Sequence, residues 1–474
     1  MKPMGKQEVR WIRYVKGSAS ILALGLGGAN VHAAPPTQEE MWKIIQQQQR
    51  TIEELKARLD KTEAKGVAEA PKAVPQKEQV QELDRKTGVL AEEVEKLKTQ
   101  LAIPEQPEYK VRYGLGPAAS KVYGMDQGVS LAGYGNAFYQ NKVSDDGDDQ
   151  ADLERLVVYL GYKFNEYLIL NSEIEYEHAT TGEGDEEKGE VSVEFAYLDF
   201  FFNPLVNARA GLVLTPMGFI NEIHEPPTFH GNQRPEVERR IIPSTWREIG
   251  VGLFGEILPG LQYRMYGING LKAEEFESDG ILEGRQGGSQ AIAEDLAFTG
   301  RLDYSPEFVP GLLIGASTFL GNSGQEATFE GRKADVFTQL YEGHIQYRYK
   351  GLELRALGAW GHIGDAKLLS QAKGETIGKS NYGWYAEIAY DVMPLIWPGT
   401  THYLAPFFRY EQFDTIAEAP AGFADDPDFD REIFQVGLDY KPIPNVVIKA
   451  DYRNWDSEGT DLPDEFNLGL GFMF

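Results

Sequence analysis

The sequence predicts an all-β protein, a closed antiparallel barrel of sixteen strands that spans a membrane, preceded by an N-terminal α-helical coiled-coil segment. Three observations predict it. The chain ends on an apolar strand, segments that alternate apolar with polar residues recur from about Val129 onward, and short turns alternate with long polar loops. An apolar edge strand promotes aggregation unless both of its edges are paired, and barrel closure pairs them. For the last strand alone, a soluble β-sandwich remains the alternative.

The terminal strand carries its large apolar residues on one side. That side holds Phe466, Leu468, Leu470, Phe472 and Phe474, and the other holds Asn467, Gly469, Gly471 and Met473. Successive side chains of a strand point to opposite faces, so only one face is apolar. The pattern resembles the terminal strand, ending in Phe, of outer-membrane β-barrels. This resemblance implies the barrel-assembly machinery and the lipid of the outer membrane as partners.

The composition excludes several classes of protein. The 474 residues carry 73 acidic and 46 basic side chains, a net charge of −27, which argues against a nucleic-acid partner. The chain has no cysteine, so disulfides, thiolate metal sites and cysteine nucleophiles are excluded. Beyond the N-terminus, no apolar run reaches the roughly 18 residues that a membrane-spanning helix needs. The alternating strands of a barrel leave mean hydropathy low, as it is here.

The N-terminus predicts export. Residues 1–33 combine a basic start, the apolar run Ile21 to Leu26, and small residues before Ala34, which is the pattern of a signal peptide. A short membrane anchor is the alternative, but the apolar run is brief. We therefore expect the mature chain to begin at Ala34.

Residues 34–103 predict a periplasmic coiled coil that joins copies of the chain, most simply as a homotrimer. Apolar residues recur at heptad positions from Met41 to Leu59 and again from Val80 to Leu101. Each half has about three heptads, so association is needed for stability. A single surface helix is the alternative. Residues 104–126, with Pro104 and Pro107, are interpreted as a linker.

Residues 127–474 are interpreted as the barrel domain. Seven short turns and eight long, mostly acidic loops separate its segments, which gives sixteen strands. An even number of strands places both chain ends on one side of the membrane, and a barrel of this size leaves an aqueous channel. The acidic loops suggest contacts to lipopolysaccharide through divalent cations. The cluster Asp145 to Asp149 lacks the spacing of an EF-hand and is interpreted as a solvated loop.

The longest insertion, Thr215 to Arg247, carries a family resemblance. Its motif residues are Pro216 and Gly218, then Arg240 with Ile242-Pro243-Ser244, then Arg247 with Gly250-Val251. The stretch resembles the phosphate-selective porin family, porins O and P. The resemblance implies a trimeric channel whose third loop folds into the lumen as a constriction. A loop that extends outward and contacts neighbours or lipopolysaccharide is the alternative.

The predicted solute-contacting residues fall into two sets. The constriction loop supplies Arg234, Glu236, Glu238, Arg239, Arg240 and Arg247. The polar faces of the strands supply a basic track of Arg155, Arg209, Arg264, Arg301, Arg348, Arg355, Arg409, Lys449 and Arg453. A row of cations suits anion passage, although acidic residues such as Glu173 and Asp451 share the same face.

The predicted function is passive diffusion of small hydrophilic solutes, leaning to anions such as phosphate, in the outer membrane of a Gram-negative bacterium. The alternative is a structural or adhesive barrel with a plugged lumen. His224 and His230 lie near each other but lack a third ligand at metal spacing, so no metal and no cofactor are expected. No hydrolase motif is present, so an enzyme is not expected.

Overall fold

The structure, a computed structural model, describes residues 110–143, 148–181 and 189–474. The predicted signal peptide, the predicted coiled coil and the first residues of the predicted linker lie outside the described residues. Most of the acidic cluster Asp145 to Asp149 lies outside them too, although Asp148 and Asp149 are described. None of the helices in the described ranges is long and apolar enough to cross a bilayer.

Sixteen antiparallel strands form one closed barrel in which every strand pairs with its neighbours in sequence. They are β1 (Gly128–Val143), β2 (Gln150–Lys163), β3 (Leu168–Glu177), β4 (Val191–Phe201), β5 (Asn207–Leu214), β6 (Arg247–Leu258), β7 (Leu261–Asn269), β8 (Leu296–Tyr304), β9 (Leu312–Asn322), β10 (Phe337–Tyr349), β11 (Leu352–Ile363), β12 (Ser380–Tyr390), β13 (Tyr403–Glu418), β14 (Asp430–Ile443), β15 (Val446–Ser457) and β16 (Asp464–Met473). The predicted sixteen-stranded barrel is therefore confirmed.

The barrel closes where the last strand meets the first. β16 pairs with β1 in a register that runs from Tyr134 opposite Met473 to Val143 opposite Asp464. The pairing extends to the last residue, because Phe474 and Gly133 exchange backbone hydrogen bonds of 2.8 and 3.1 Å. Closure leaves the apolar terminal strand without a free edge, which removes the aggregation hazard noted in the sequence.

The strands are apolar on the outside and polar on the inside. On β3, Tyr176 is exposed outward, whereas Asn171, Glu173 and Glu175 are buried inward. On β16 the predicted outward side is exposed to the surroundings at Phe466, Leu468, Leu470 and Phe474. A soluble sandwich would bury that side. An apolar exterior around a polar interior is the arrangement that a lipid bilayer requires of a barrel.

The two ends of the barrel differ. At one end seven short turns connect the strands, and one of them holds the short helix α2 (Met393–Ile396). At the other end are eight longer loops, one holding the helix α1 (Ala366–Lys373) and another a small hairpin, Thr328–Phe329 with Arg332–Lys333. Further 3-10 turns span Ala119–Gly124, Pro226–Thr228, Ala273–Glu275, Leu282–Gly284 and Pro427–Phe429. We call these the turn side and the loop side.

Candidate functional site

The loop that connects β5 to β6, residues 215–246, lies inside the barrel, and we call it the inner loop. Its apolar residues are buried, with Met217 and Val237 at 0% exposure and Ile220 and Ile241 at 1% or less. The loop contains a short π-helical turn, Val237–Ile241. A loop this long and this apolar gains more by packing against the barrel wall than by standing in water.

The base of the inner loop is fastened by one asparagine. The Asn221 amide group donates to the carbonyls of Thr215 and Trp246 at 2.7 and 3.0 Å, and its oxygen accepts from the Trp246 backbone N–H at 2.6 Å. Trp246 is fully buried and packs against Phe319, with ring centroids 4.7 Å apart. These contacts join the two ends of the loop and direct its middle into the lumen.

The far side of the inner loop is held by charged side chains of the wall. Lys449 donates to the carbonyls of Phe229 and Gly231 at 2.8 and 2.7 Å. Arg409 donates to the carbonyls of His230 and Gln233, each at 3.2 Å. Because these cations are buried, their hydrogen bonds to the loop backbone are needed to offset the cost of leaving water.

His230 adds an ionic anchor to the same side. Its Nδ1 lies 2.8 Å from Asp439, its Nε2 lies 3.7 Å from Glu353, and its ring stacks on Phe407. Burial alone would lower the pKa of His230, but the hydrogen bonds to Asp439 and Glu353 outweigh it and raise the pKa to about 9. The imidazole is therefore a cation at neutral pH and an attachment point for the loop.

Two glutamates fix the apex of the inner loop. Glu236 pairs with Arg453 of the wall and Arg239 of the loop, each at 3.0 Å, and with Arg240 at 3.4 Å. Burial acts to raise the pKa of Glu236, but the three guanidinium groups lower it to about 2. Glu238 accepts from the Tyr385 hydroxyl at 2.6 Å and the Ile220 backbone N–H at 2.7 Å. Glu236 and Glu238, both predicted as solute contacts, are each 1% exposed. Their contacts hold the inner loop against the wall.

Residues 110–127, most of which were predicted as part of a linker, also pack inside the barrel, and we call them the inner N-terminal segment. Tyr123 donates to Asp199 at 2.7 Å, and Ala118 donates to Glu225 of the inner loop at 3.4 Å. Leu115 and Val122 are buried at 1% or less. The described part of the predicted linker therefore occupies part of the barrel lumen, because its apolar residues are buried against the inner wall.

The predicted basic track lies on the inner face, but it is largely neutralised. Seven of its nine members are 9% exposed or less, the Arg155 side chain is 11% exposed, and only the Arg348 side chain, at 47%, is substantially exposed. Seven members form ion pairs, which are Arg155 with Glu154 and Glu175, Arg209 with Asp199, Arg264 with Glu222 and Asp303, Arg301 with Asp303, Arg348 with Glu353, Arg409 with Glu387 and Glu411, and Arg453 with Glu236 and Glu465. A paired guanidinium has little capacity left for a passing anion.

The other two members of the track bind the inner loop. Arg355 donates to the Thr228 carbonyl at 3.4 Å and lies over the Phe219 ring, 4.8 Å from its centroid. Lys449, described above, lies 3.8 Å from the centroid of Phe229. These two members of the predicted track therefore help to hold the inner loop in place.

The inner loop lies between two cavities. A cavity of about 840 Å³ opens on the loop side, and residues such as Gln233 and Ser244 of the inner loop line it. A cavity of about 740 Å³ opens on the turn side, lined by Phe219 and His230 of the same loop and by Arg301 and Arg355 of the wall. The two cavities have no lining residue in common within the described part of the chain.

Three arginines on the wall of the loop-side cavity differ from the track. Arg234, Arg247 and Arg285, which we call the arginine cluster, have no carboxylate within ion-pairing distance among the described residues. Arg234 donates to the hydroxyls of Ser244 and Thr245 at 3.1 and 2.9 Å, and Arg247 donates to Ser192 at 3.1 Å. The Arg234 Nη2 and the Arg247 Nε are buried without a hydrogen-bond partner.

The charge of the arginine cluster is uncompensated at short range. Burial lowers the pKa of Arg234, and the neighbouring guanidinium of Arg155 lowers it further. The pKa of Arg285 is lowered in the same way by burial and by Arg247. A guanidinium remains charged through such a shift, so the cluster concentrates positive potential on one wall of the cavity.

Carboxylates line the same cavity. Glu154, Glu175, Glu177 and Glu190 line it from β2, from β3 and from the loop before β4. Arg239, predicted in the constriction loop, also lines it but pairs with Glu236. Arg240 pairs with Asp279 as well and so connects the inner loop to the loop after β7. The sequence did not indicate Arg285, which lies in that loop and carries no motif.

A closed sixteen-stranded barrel with an apolar exterior, a charged interior and an inward-folded third loop defines the class of transmembrane β-barrels with the porin architecture. The chain belongs to the same family as an uncharacterized protein of Aquifex aeolicus strain VF5, to which it is 40% identical over 392 residues, covering 80% of this chain and 87% of that one. No protein-family model matches the chain, so membership of the phosphate-selective porin family is not confirmed.

Solved outer-membrane proteins share the barrel architecture. They include an OmpT loop-deletion mutant of Vibrio cholerae (TM-score 0.49, 14% identity, 74% of this chain and 100% of that one). They also include Salmonella typhi OmpF in complex with daunomycin (0.48, 14%, 74% and 98%) and the channel DcaP of Acinetobacter baumannii (0.46, 12%, 73% and 97%). At these values the likeness concerns the fold alone.

Proposed function

We propose that this protein is a porin of the Gram-negative outer membrane, a water-filled channel for passive diffusion of small hydrophilic solutes with a preference for anions such as phosphate. The inner loop is its constriction. The observation that carries the proposal is the arginine cluster, which presents buried, unpartnered guanidinium N–H groups at a cavity open to the loop side. Arginine matches the planar, multidentate geometry of oxyanions.

The charge distribution of the loop-side cavity supports selectivity. Arg234, Arg247 and Arg285 line the cavity together with the carboxylates Glu154, Glu175, Glu177 and Glu190. Opposed charges set up a transverse field that orients polar solutes, and low-dielectric walls strengthen it. An anion in the cavity would be attracted by the positive potential of the cluster, which offsets part of the desolvation cost of entry.

The proposed location follows from the barrel. The short turns face the periplasm and the long acidic loops face outward, as in bacterial barrels. Both ends of the barrel domain lie on the turn side, where a periplasmic coiled coil at residues 34–103 would join three copies. The heptad pattern of residues 34–103 supports the trimer.

The proposal is tested in planar bilayers with the mature chain. Reversal potentials in a KCl gradient measure anion against cation permeability, and phosphate added at increasing concentration reports competition with chloride. Replacing the cluster by glutamine (R234Q/R247Q/R285Q) should lower the anion preference several-fold. The matched control is R332Q, because Arg332 lies in an exposed hairpin on the loop side. An unchanged reversal potential in the triple variant would place selectivity elsewhere.

A second function, a structural or adhesive barrel with a closed lumen, is favoured by the packing of the inner loop. That loop and the inner N-terminal segment bury Met217, Val237 and Val122 at 0% exposure, and the loop lies between the two cavities. This candidate function predicts that the intact chain produces no conductance in a planar bilayer. It also predicts that deleting residues 217–244 leaves envelope binding unchanged, whereas a porin would become larger and less selective.

A further inference from the structure

Three potential metal ligands from separate elements meet beside the inner loop. Glu173 comes from β3, Glu194 from β4 and His224 from the loop itself, and one ligand atom of each lies within 4.8 Å of the others. Their side chains are 0 to 1% exposed. Two carboxylates and an imidazole buried together need a cation, since unpaired charges are costly away from water.

The orientation of the imidazole strengthens this requirement. His224 Nδ1 lies 3.2 Å from the Asn221 carbonyl oxygen, which only accepts, so the N–H of a neutral ring belongs on Nδ1. Nε2 then carries a lone pair, yet it faces Glu173 Oε1 at 3.5 Å and Glu194 Oε2 at 3.3 Å. With a neutral ring, the Nε2 lone pair of His224 therefore faces the carboxylate oxygens of Glu173 and Glu194 with no proton between them.

Four polar atoms of this cluster have no hydrogen-bond partner. His224 Nε2, Glu173 Oε2 and both carboxylate oxygens of Glu194 are buried without a hydrogen bond. Such groups are rare in folded proteins and point to an ion or water that binds there. A single proton, on the imidazole or between the two carboxylates, would give hydrogen bonds to at most two of these four atoms.

We propose that Glu173, Glu194 and His224 bind a divalent first-row transition-metal cation, with Zn²⁺ as the best match. Zinc takes nitrogen and carboxylate oxygen at about 2.0 to 2.2 Å in tetrahedral geometry, which places neighbouring donors about 3.3 to 3.5 Å apart. The two measured donor separations fall in that range. Two carboxylates also neutralise the charge of the ion.

The surroundings of the cluster resemble the second layer of a metal site. The Asn221 carbonyl fixes the imidazole tautomer, and the Tyr134 hydroxyl donates to Glu173 Oε1 at 3.0 Å. Such contacts orient ligands and are typical of bound histidine and carboxylate. The bound ion joins the inner loop to two wall strands and so fastens the loop. This role does not depend on which solute the channel conducts.

The test uses the mature chain without an affinity tag, refolded in detergent with no metal, with Zn²⁺ or with Co²⁺. We expect one equivalent of metal per chain by mass spectrometry, and a visible absorption band of Co²⁺ in a site of low coordination number. Zn²⁺ should raise the thermal transition. H224N and E194Q should each lose the stoichiometric ion, whereas H178N, at an exposed histidine, should keep it.

Folding of each variant is checked by heat-modifiable migration, so that a lost ion is distinguished from a lost fold. Conductance is measured on the same samples, which separates failure of this site from failure of the proposed channel function. The proposal is overturned if the folded wild-type chain retains less than one equivalent. It is equally overturned if folded H224N and E194Q bind as much metal as wild type, or if Zn²⁺ leaves the thermal transition unchanged.

Discussion

Arg453 on β15 and Glu236 in the inner loop form an ion pair 3.0 Å long in which each side chain is 2% exposed. The first residue was predicted in the basic track of the wall and the second in the constriction loop. Their contact shows that charges of the lumen fasten the loop to the wall. A buried pair of this kind adds little net stability when compared with apolar residues, but breaking it is costly.

Removing one partner should therefore destabilise the fold strongly. R453Q leaves Glu236 and Glu465 without their buried guanidinium and should lower the free energy of unfolding by about 3 to 5 kcal/mol. R239Q removes an arginine whose side chain is 38% exposed and should cost at most about 1 kcal/mol. Denaturant unfolding in detergent micelles measures both. Equal losses for the two variants would mean that the Arg453 pair is not a buried anchor.

Charge reversal should affect selectivity unequally along the lumen. R285E introduces a carboxylate where the arginine cluster has no acidic partner, so the anion preference should fall several-fold. R348E changes a track residue that already pairs with Glu353 at the turn side and should shift the reversal potential less. Bilayer reversal potentials in a salt gradient compare them. A larger shift for R348E would locate the selective region at the turn-side cavity.

The His230 anchor predicts a specific pH dependence. Its folded-state pKa of about 9 lies above the ordinary value of 6.5, so its contribution is complete below pH 6.5 and is lost as the pH rises through 9. The shift corresponds to about 3 kcal/mol. Asp439, Glu353 and Glu387 raise the pKa of the His230 imidazole, and Arg409 donates to the His230 backbone carbonyl.

The measurement compares the wild-type chain with H230Q across this pH range. The wild-type chain should be the more stable at pH 6 to 7, and the difference should shrink by pH 10, because deprotonated His230 no longer attracts the two carboxylates. Unfolding in detergent micelles at each pH gives the two free energies. A difference that stays constant from pH 6 to 10 would show that His230 is uncharged in the folded state.

Substitution by valine should have different effects on folding at two glycines, one beside the β1–β16 seam and one on β10. A Cβ at Gly133 would collide with the Val157 carbonyl and lie 2.9 Å from the ring of Phe474, whereas one at Gly343 on β10 meets nothing within 4 Å. G133V should therefore prevent closure, while G343V should be tolerated. Heat-modifiable migration reports closure. If G133V folds as well as G343V, the β1–β16 seam is packed less tightly than the structure indicates.

The barrel was predictable because its pattern is local. Apolar residues such as Leu156 alternate with inward-facing residues such as Arg155 along each strand. Turn residues such as Pro259-Gly260 mark the connections. The apolar side was correctly assigned to the exterior. The inner loop was also recognisable from its length and its apolar content, although its anchors were not.

The partners within the lumen were not predictable, because each one depends on which distant residues the closed barrel brings together. His230 meets Asp439 across 209 positions of the chain, and Arg285 meets its neighbours through a loop without any motif. The His224 cluster has no sequence spacing, since its three ligands lie on three elements. The inner N-terminal segment was interpreted as part of a linker because it follows Pro104 and Pro107, and its sequence does not show that Leu115 and Val122 become buried in the lumen.

Single-channel conductance of the mature chain in a planar bilayer, with and without residues 217–244, tests the central claim most directly. If the inner loop constricts a water-filled channel, the intact chain conducts in discrete steps with anion preference, and the deletion raises the conductance and weakens the preference. A folded deletion variant with the same conductance and the same reversal potential as the intact chain would contradict this account.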